Sequence, residues 1–280
     1  MKAVFAGCAR DCAEALPRVL EKIEAMAAHF EAAAYVVVEN GSSDGTRKLL
    51  ERFGAGRPRF SLLDAALLDD LPRRGQRLEM ARNAIVEALR ASSVLRGYDL
   101  MIAIDMDDAN AQPQPLEGFS RSLDYLRAEA QCAAVFANQR GLYCDMWALR
   151  HPKLCPGDVW EEVSEYARAR GLSDEDAFAA TFDKRLFWIP VEDPPLEVDS
   201  AFGGLGIYKM PFVIGNPNPY VGTRVKVDGG RLVRWEHCEH VHFHAGIRAQ
   251  GGRLRILPWL INGANEGITF NPSAFRRLVY

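Results

Sequence analysis

Leu100-Met101-Ile102-Ala103-Ile104-Asp105-Met106-Asp107-Asp108 is the stretch whose reading decides the fold. An apolar run of that length, ending abruptly in acids, reads as a strand buried on both faces, the kind found in parallel sheets. Its acidic end then emerges where the strand stops, the edge at which open α/β sheets bind ligands. Tyr35-Val36-Val37-Val38 repeats the pattern and leads into Glu39-Asn40-Gly41-Ser42-Ser43-Asp44-Gly45-Thr46. Between them lies Ala81-Arg82-Asn83, on a segment of helical period.

Working outward, residues 2–6 read as a first strand, 33–38 as a second, 60–63 as a weaker third and 98–105 as a fourth. Residues 13–30 carry Leu16, Val19, Leu20, Ile23, Met26 and Phe30 on one stripe, a helical spacing, with Pro17 near the start where its missing N–H does least harm. Residues 46–52 and 78–95 read as further helices. Strand–helix alternation of this kind predicts an α/β fold, a mostly parallel sheet flanked by helices in a single compact unit. After Asp108 the alternation loosens: helices are expected over 116–129 and 158–171, and strands over 132–137, 142–149 and 236–244. Gly203-Gly204-Leu205-Gly206 reads as a turn entering a strand. A boundary near residue 110 divides an N-terminal half, 1–110, from a second half, 111–280, of the same domain.

With 48% hydrophobic residues, 25% charged residues and a formal charge of −3, the 280-residue chain has an ordinary globular composition and no basic excess for nucleic acid. Two basic clusters, Arg73-Arg74 with Arg77 and Arg248 with Arg253 and Arg255, read as solvated surface or as anion-facing groups. No window approaches the ~18 apolar residues of a membrane span, and the N-terminus lacks a signal-peptide pattern. The six cysteines are irregularly spaced, so free thiols and a cytoplasmic location are expected, with the inner face of a membrane as an allowed variant.

The chemistry concentrates at the acids. Strand alternation sends Asp105 and Asp107 the same way and Asp108 away. Two carboxylates on one patch suit a hard divalent cation, Mn²⁺ or Mg²⁺, whose remaining ligands are phosphate oxygens of a substrate. Arg82 sits beside the apolar stripe of its helix, where a planar guanidinium reaches a diphosphate or neighbouring carboxylates. For an acceptor-side acid, Asp199 before the Gly-rich turn is preferred, with Asp145 and Glu197 behind it. Cys238-Glu239-His240-Val241-His242-Phe243-His244, read as a strand, offers three histidines on one face.

The segment 39–46, Met80-Ala81-Arg82-Asn83 and Ile104-Asp105-Met106-Asp107 together resemble the motifs of family-2-like glycosyltransferases of GT-A fold, in order and separation. A looser likeness, over 7–12, 145–150, 200–209 and 238–240, is to capsule-type mannosyltransferases of surface polysaccharide synthesis. The resemblance implies a metal-dependent glycosyltransferase, a hexosyltransferase moving sugar from a UDP- or GDP-sugar to a glycan or lipid-linked acceptor, with peripheral membrane association compatible. It implies that Glu39 approaches the nucleoside, Asp44 the base and Arg82 the phosphates, with Ala6, Gly7, Arg10, Asn40, Ser42, Arg77 and Met106 completing the nucleotide-sugar side. Asp105 falls to ribose and metal, Asp107 to metal, and a third metal ligand to His240 or His242. Two rival readings are a sugar nucleotidyltransferase and a non-catalytic nucleotide-sugar-binding domain.

Overall fold

The computed structural model describes residues 1–113, 115–228 and 230–264. Its first half alternates as the apolar runs predict: β1 (Lys2–Ala9), α1 (Leu16–Ala27), β2 (Ala32–Glu39), α2 (Thr46–Gly54), β3 (Phe60–Asp64), α3 (Arg74–Ala91) and β4 (Leu100–Ile104). The second half adds α4 (Glu117–Ala128), β5 (Cys132–Arg140), β6 (Leu142–Tyr143), α5 (Val159–Arg170), α6 (Asp174–Ala180), β7 (Phe187–Trp188), β8 (Leu196–Val198), β9 (Leu205–Lys209) and α7 (Met210–Ile214). It closes with the hairpin β10 (Thr223–Asp228) and β11 (Arg231–Glu236), then α8 (Glu239–Ala249) and β12 (Arg253–Ala264).

Eight strands form one sheet in the order β3-β2-β1-β4-β9-β5-β12-β8. β1, β2, β3 and β4 pair in parallel, as do β5 and β12, whereas β9 runs antiparallel between β4 and β5, and β8 antiparallel on β12. The strands are buried on both faces because alternate side chains feed two separate cores. Ala3 and Phe5 of β1 and Ile102 and Ile104 of β4 pack with Leu16, Leu20 and Leu123 from α1 and α4. Val4, Ala6, Met101 and Ala103 face the other way, onto Ile85 and Leu89 of α3 and Phe243 of α8. Each fully buried Leu, Ile or Phe contributes roughly 1.5–3 kcal/mol. Among the described residues no helix is long and apolar enough to cross a membrane.

Among the elements that differ from expectation, α3 begins and ends four residues early and β5 runs on to Arg140, and three others bear on the site. β1 continues to Ala9, three residues past the expected end, so Cys8 and Ala9 reach the ligand edge while Ala6 and Gly7 stay inside the sheet. The expected strand 142–149 shrinks to the two residues of β6. The expected strand 236–244 is the end of β11 followed by the helix α8. Buried His240, Phe243, His244 and Ile247 mark its true period of three to four. The alternation of Val241 and Phe243 was too short to outweigh it.

Candidate functional site

β4 ends at Ile104, one residue before the acids, so strand alternation no longer governs where they point. The Asp107 side chain accepts from the Ala109 N–H at 3.2 Å, closing a short 3₁₀ turn. Asp105 and Asp107 share the smaller of two adjoining cavities, which Asp108 does not line; Asp105 also borders the larger, together with Asp108. The cavity volumes are about 210 and 460 Å³.

The smaller cavity opens over the end of β1, between Cys8, Ala9 and Met106. Gly7 lies directly beneath Met106; a Cβ there would come within 2.6 Å of its sulfur, so glycine is required for the sulfur to seat. Arg10, Arg74 and Arg77 converge on this cavity. Arg77 donates to the Leu71 carbonyl at 2.6 Å, and burial, with Arg10 and Arg74 nearby, lowers its affinity for its own proton. Arg10 already pairs with Asp69 and Asp11, and the guanidinium groups of Arg74 and Arg77 beside it still invite an anion. Asn40 is buried at the wall with its Oδ1 unpartnered.

The neighbouring acidic segment is differently used. Glu39 is fully buried; its Oε1 accepts from the Ser42 N–H at 2.6 Å and its Oε2 meets Arg47 at 2.7 Å. Asp44 accepts from the N–H groups of Thr46 at 2.8 Å and Ala13 at 2.9 Å, and the Ser42 hydroxyl accepts from the Asp11 N–H at 3.0 Å. Glu39, Ser42 and Asp44 therefore shape the loop, and neither cavity is lined by them.

The larger cavity is built around Arg82, 6% exposed on α3. Its Nε donates to Glu239 Oε1 at 2.8 Å and its Nη2 to Asp105 Oδ1 at 3.1 Å, with the Phe202 ring 4.9 Å from the guanidinium carbon. The pair across 157 residues ties α3 to the start of α8 and fixes Asp105 at the cavity border. Burial pushes the Asp105 carboxyl up to about 7; Arg82 pulls it back and Asp107 adds to the rise.

Opposite stands Asp145, whose Oδ2 accepts from the Gly203 N–H at 2.7 Å and Oδ1 from the Ala148 N–H at 3.3 Å. Burial raises its carboxyl above the usual aspartate range against these two donors. Gly203 must be glycine: it has φ +67°, and a Cβ would lie 2.6 Å from the Ala137 carbonyl oxygen. The Gly203 carbonyl accepts from Asn262 and Gln139, and that of Gly204 from the Asp105 N–H at 2.9 Å, locking the turn to both strand ends.

Asp199 is not brought to the site. It follows β8, whose Val198 pairs with Leu254 at the start of β12, the opposite edge of the sheet. There Asp199 forms an ion pair with Arg248 at 2.6 Å, while Glu197 approaches Arg253 and Arg255. Of the acids considered for the acceptor side, Asp145 lines the larger cavity and Asp199 and Glu197 do not. Helical geometry also separates the histidines. His240 lines the larger cavity with neither ring nitrogen hydrogen-bonded and Nε2 3.5 Å from Glu239 Oε1, His242 is exposed on another face of α8, and His244 is buried between Ser200 and Tyr208 at 2.8 and 3.0 Å. Among the described residues no three His, Cys, Asp or Glu side chains gather around one point.

Sequence reasoning left Arg74 open between solvated surface and an anion-facing group, and gave Glu239 no role of its own. Arg74 opens α3 and borders both cavities, with no ion-pair partner among the described residues. Its place in a basic cluster was the available signal; the helix start at Arg74 was not, since the helix was expected from residue 78. Glu239 had none, since its role follows from a partner 157 residues away.

No protein-family model matches the chain, and no curated protein matches it in sequence. Among solved structures it is similar to the mannosyltransferase PcManGT from Pyrobaculum calidifontis in complex with GDP-Man and Mn²⁺, with a TM-score of 0.51 and 14% identity over 98% of this chain and 59% of that one. It is also similar to residues 1–349 of TarS from S. aureus, with a TM-score of 0.50 and 12% identity over 92% of this chain and 58% of that one. The chain thus spans less than two thirds of either structure. What the likeness carries is the fold: a mixed, mostly parallel GT-A sheet flanked by helices.

Proposed function

We propose that this chain is a metal-assisted glycosyltransferase that moves a hexose from a nucleoside diphosphate, UDP or GDP, to a hydroxyl of a glycan or lipid-linked acceptor. The observation that carries this reading is Asp105 on the border of two adjoining cavities, one ringed by arginines and the other holding the separate, half-buried carboxylate of Asp145. A donor needs the first and an acceptor the second, with the bond exchanged at their border. In this reading residues 1–110 supply most of the donor side and 111–280 most of the acceptor side.

Arg10, Arg74 and Arg77 face the diphosphate, and the unpartnered Asn40 Oδ1 takes a hydrogen bond from the nucleoside. Asp105 and Asp107 fit a Mn²⁺ or Mg²⁺ ion: both are oxygen donors at one turn, and Asp107 has no cation partner among the described residues. Among the described residues His240 has no company to complete a protein-only site, so the ion would be held by Asp105 and Asp107 and would draw its other ligands from the substrate. When bound, the ion stabilises the charge of the leaving diphosphate. Arg82 holds Asp105 in place. Asp145, oriented by the Gly203 and Ala148 N–H groups, accepts the acceptor's proton as its oxygen attacks the anomeric carbon.

Thermal-shift screening against UDP-, GDP-, CMP- and dTDP-sugars, with and without Mn²⁺, tests the reading. One UDP- or GDP-sugar should raise the unfolding temperature only when Mn²⁺ is present. No shift with any of them speaks against a donor site.

A further inference from the structure

The walls of the larger cavity bear on the charge of its occupant. Resting on the glycosyltransferase reading, we infer that the acceptor ring is a neutral hexopyranoside, carrying neither phosphate nor carboxylate.

Asp105, Asp108, Asp145 and Glu239 line this cavity against only Arg74 and Arg82. Arg82 is committed to Asp105 and Glu239. Arg74 lies on the border and belongs equally to the arginine-ringed cavity, where a diphosphate claims it. His240 turns Nε2 toward Glu239 Oε1 at 3.5 Å, so that nitrogen faces a carboxylate already in the wall. The inner cavity therefore offers an acceptor no uncommitted cation among the described residues. A uronate or sugar phosphate would set its charge against Asp108 and Asp145 in a partly buried space, where like charges repel far more than in water.

The remaining polar atoms ask for hydroxyl groups. The Gln139 Oε1, the Trp147 Nε1 and both ring nitrogens of His240 are buried without hydrogen-bond partners, and all three residues line the cavity. Gln139 and His240 are at least nine-tenths buried. This set includes an acceptor that cannot donate and a donor that cannot accept. A hydroxyl serves both, whereas a phosphate or carboxylate serves only donors. The wall also presents Phe202, stacked on His240 at 4.1 Å, and the Trp147 indole, apolar surface suited to the C–H face of a pyranose.

The test uses the full chain with Mn²⁺ and whichever of UDP or GDP it binds more tightly. Methyl glucoside, galactoside and mannoside are titrated, each against its uronate and its 6-phosphate, with saturation-transfer NMR and tryptophan fluorescence as readouts. At least one neutral glycoside should bind roughly tenfold or more tightly than both of its anionic counterparts. Asp108→Lys should narrow that gap. An anionic member that binds as well as its neutral parent overturns the inference, and so does the absence of binding by every neutral glycoside while the nucleotide is held. Failure to hold either nucleoside diphosphate with Mn²⁺ instead contradicts the glycosyltransferase reading on which the inference rests.

Discussion

Two parallel strands of this sheet end in acids, and the two ends put them to opposite use. After β2, Glu39 and Asp44 are consumed by the Ser42, Thr46 and Ala13 N–H groups and by Arg47, so the loop is held by its own carboxylates. After β4, Asp105, Asp107 and Asp108 face cavities, and Arg82 satisfies only part of Asp105. Carboxylates filled by nearby donors and lining neither cavity, as Glu39 and Asp44 are, serve the fold; Asp145 also accepts two N–H groups but borders the larger cavity. A carboxylate left open beside a cavity keeps capacity for a ligand, at the expense of its own ionisation: Asp105 is pushed up to about 7.

Substitution at the two ends separates these roles, with the largest effect at the open one. Asp105→Asn should reduce glycosyl transfer about 1,000-fold on folded protein, the scale of a lost electrostatic contact to the leaving group. Far-UV circular dichroism and single-turnover rates check it, and a variant within tenfold of wild type would make the β4 end scaffold too.

Asp145→Asn comes next, with a loss of about 100-fold, typical of a general base. Because burial raises the Asp145 carboxyl, wild-type kcat/KM should fall with decreasing pH on a limb displaced above the ordinary aspartate range. The base must be ionised, so activity is lost as the proton goes on. That limb should vanish in the variant; its survival would assign the titration elsewhere.

At the filled end the effects move to stability. Glu39→Gln should destabilise the fold by about 2 kcal/mol, because it unpairs a buried carboxylate from an Arg47 that is only half exposed and keeps Asp64 as a partner. Urea unfolding measures this, and nucleotide affinity per folded molecule should hardly change. Asp44→Ala should cost about 1 kcal/mol as a lost cap, again with nucleotide affinity retained. A tenfold drop in affinity for either variant would erase the contrast between the two ends.

The same division explains what the sequence made legible. β2, β4 and the helices between them were readable because apolar runs and stripes are local signals. The acids at both ends were readable as acids, but not as filled or open, which depends on loop backbone and on Arg47 and Arg82. α8 was misread because its histidines alternate with Val241 and Phe243 over a span too short to separate the two periods, and the helix shows only when Ile247 is included. On that helix His240 and His244 lie one turn apart, yet Ser200 and Tyr208 satisfy the second while the first has no hydrogen bond at the cavity. Asp199 looked poised before the Gly-rich turn. The antiparallel course of β8 instead puts it at the far edge beside Arg248, a pairing no local pattern encodes.

Everything proposed for the open end depends on a cation between Asp105 and Asp107 and a bound diphosphate. Calorimetric titration of UDP and of GDP into the wild-type chain, once with Mn²⁺ and once with excess EDTA, measures that dependence directly. One nucleotide should bind at least roughly tenfold more tightly with the metal, because two carboxylates repel a diphosphate unless a cation intervenes. Equal affinity in both titrations would contradict the account.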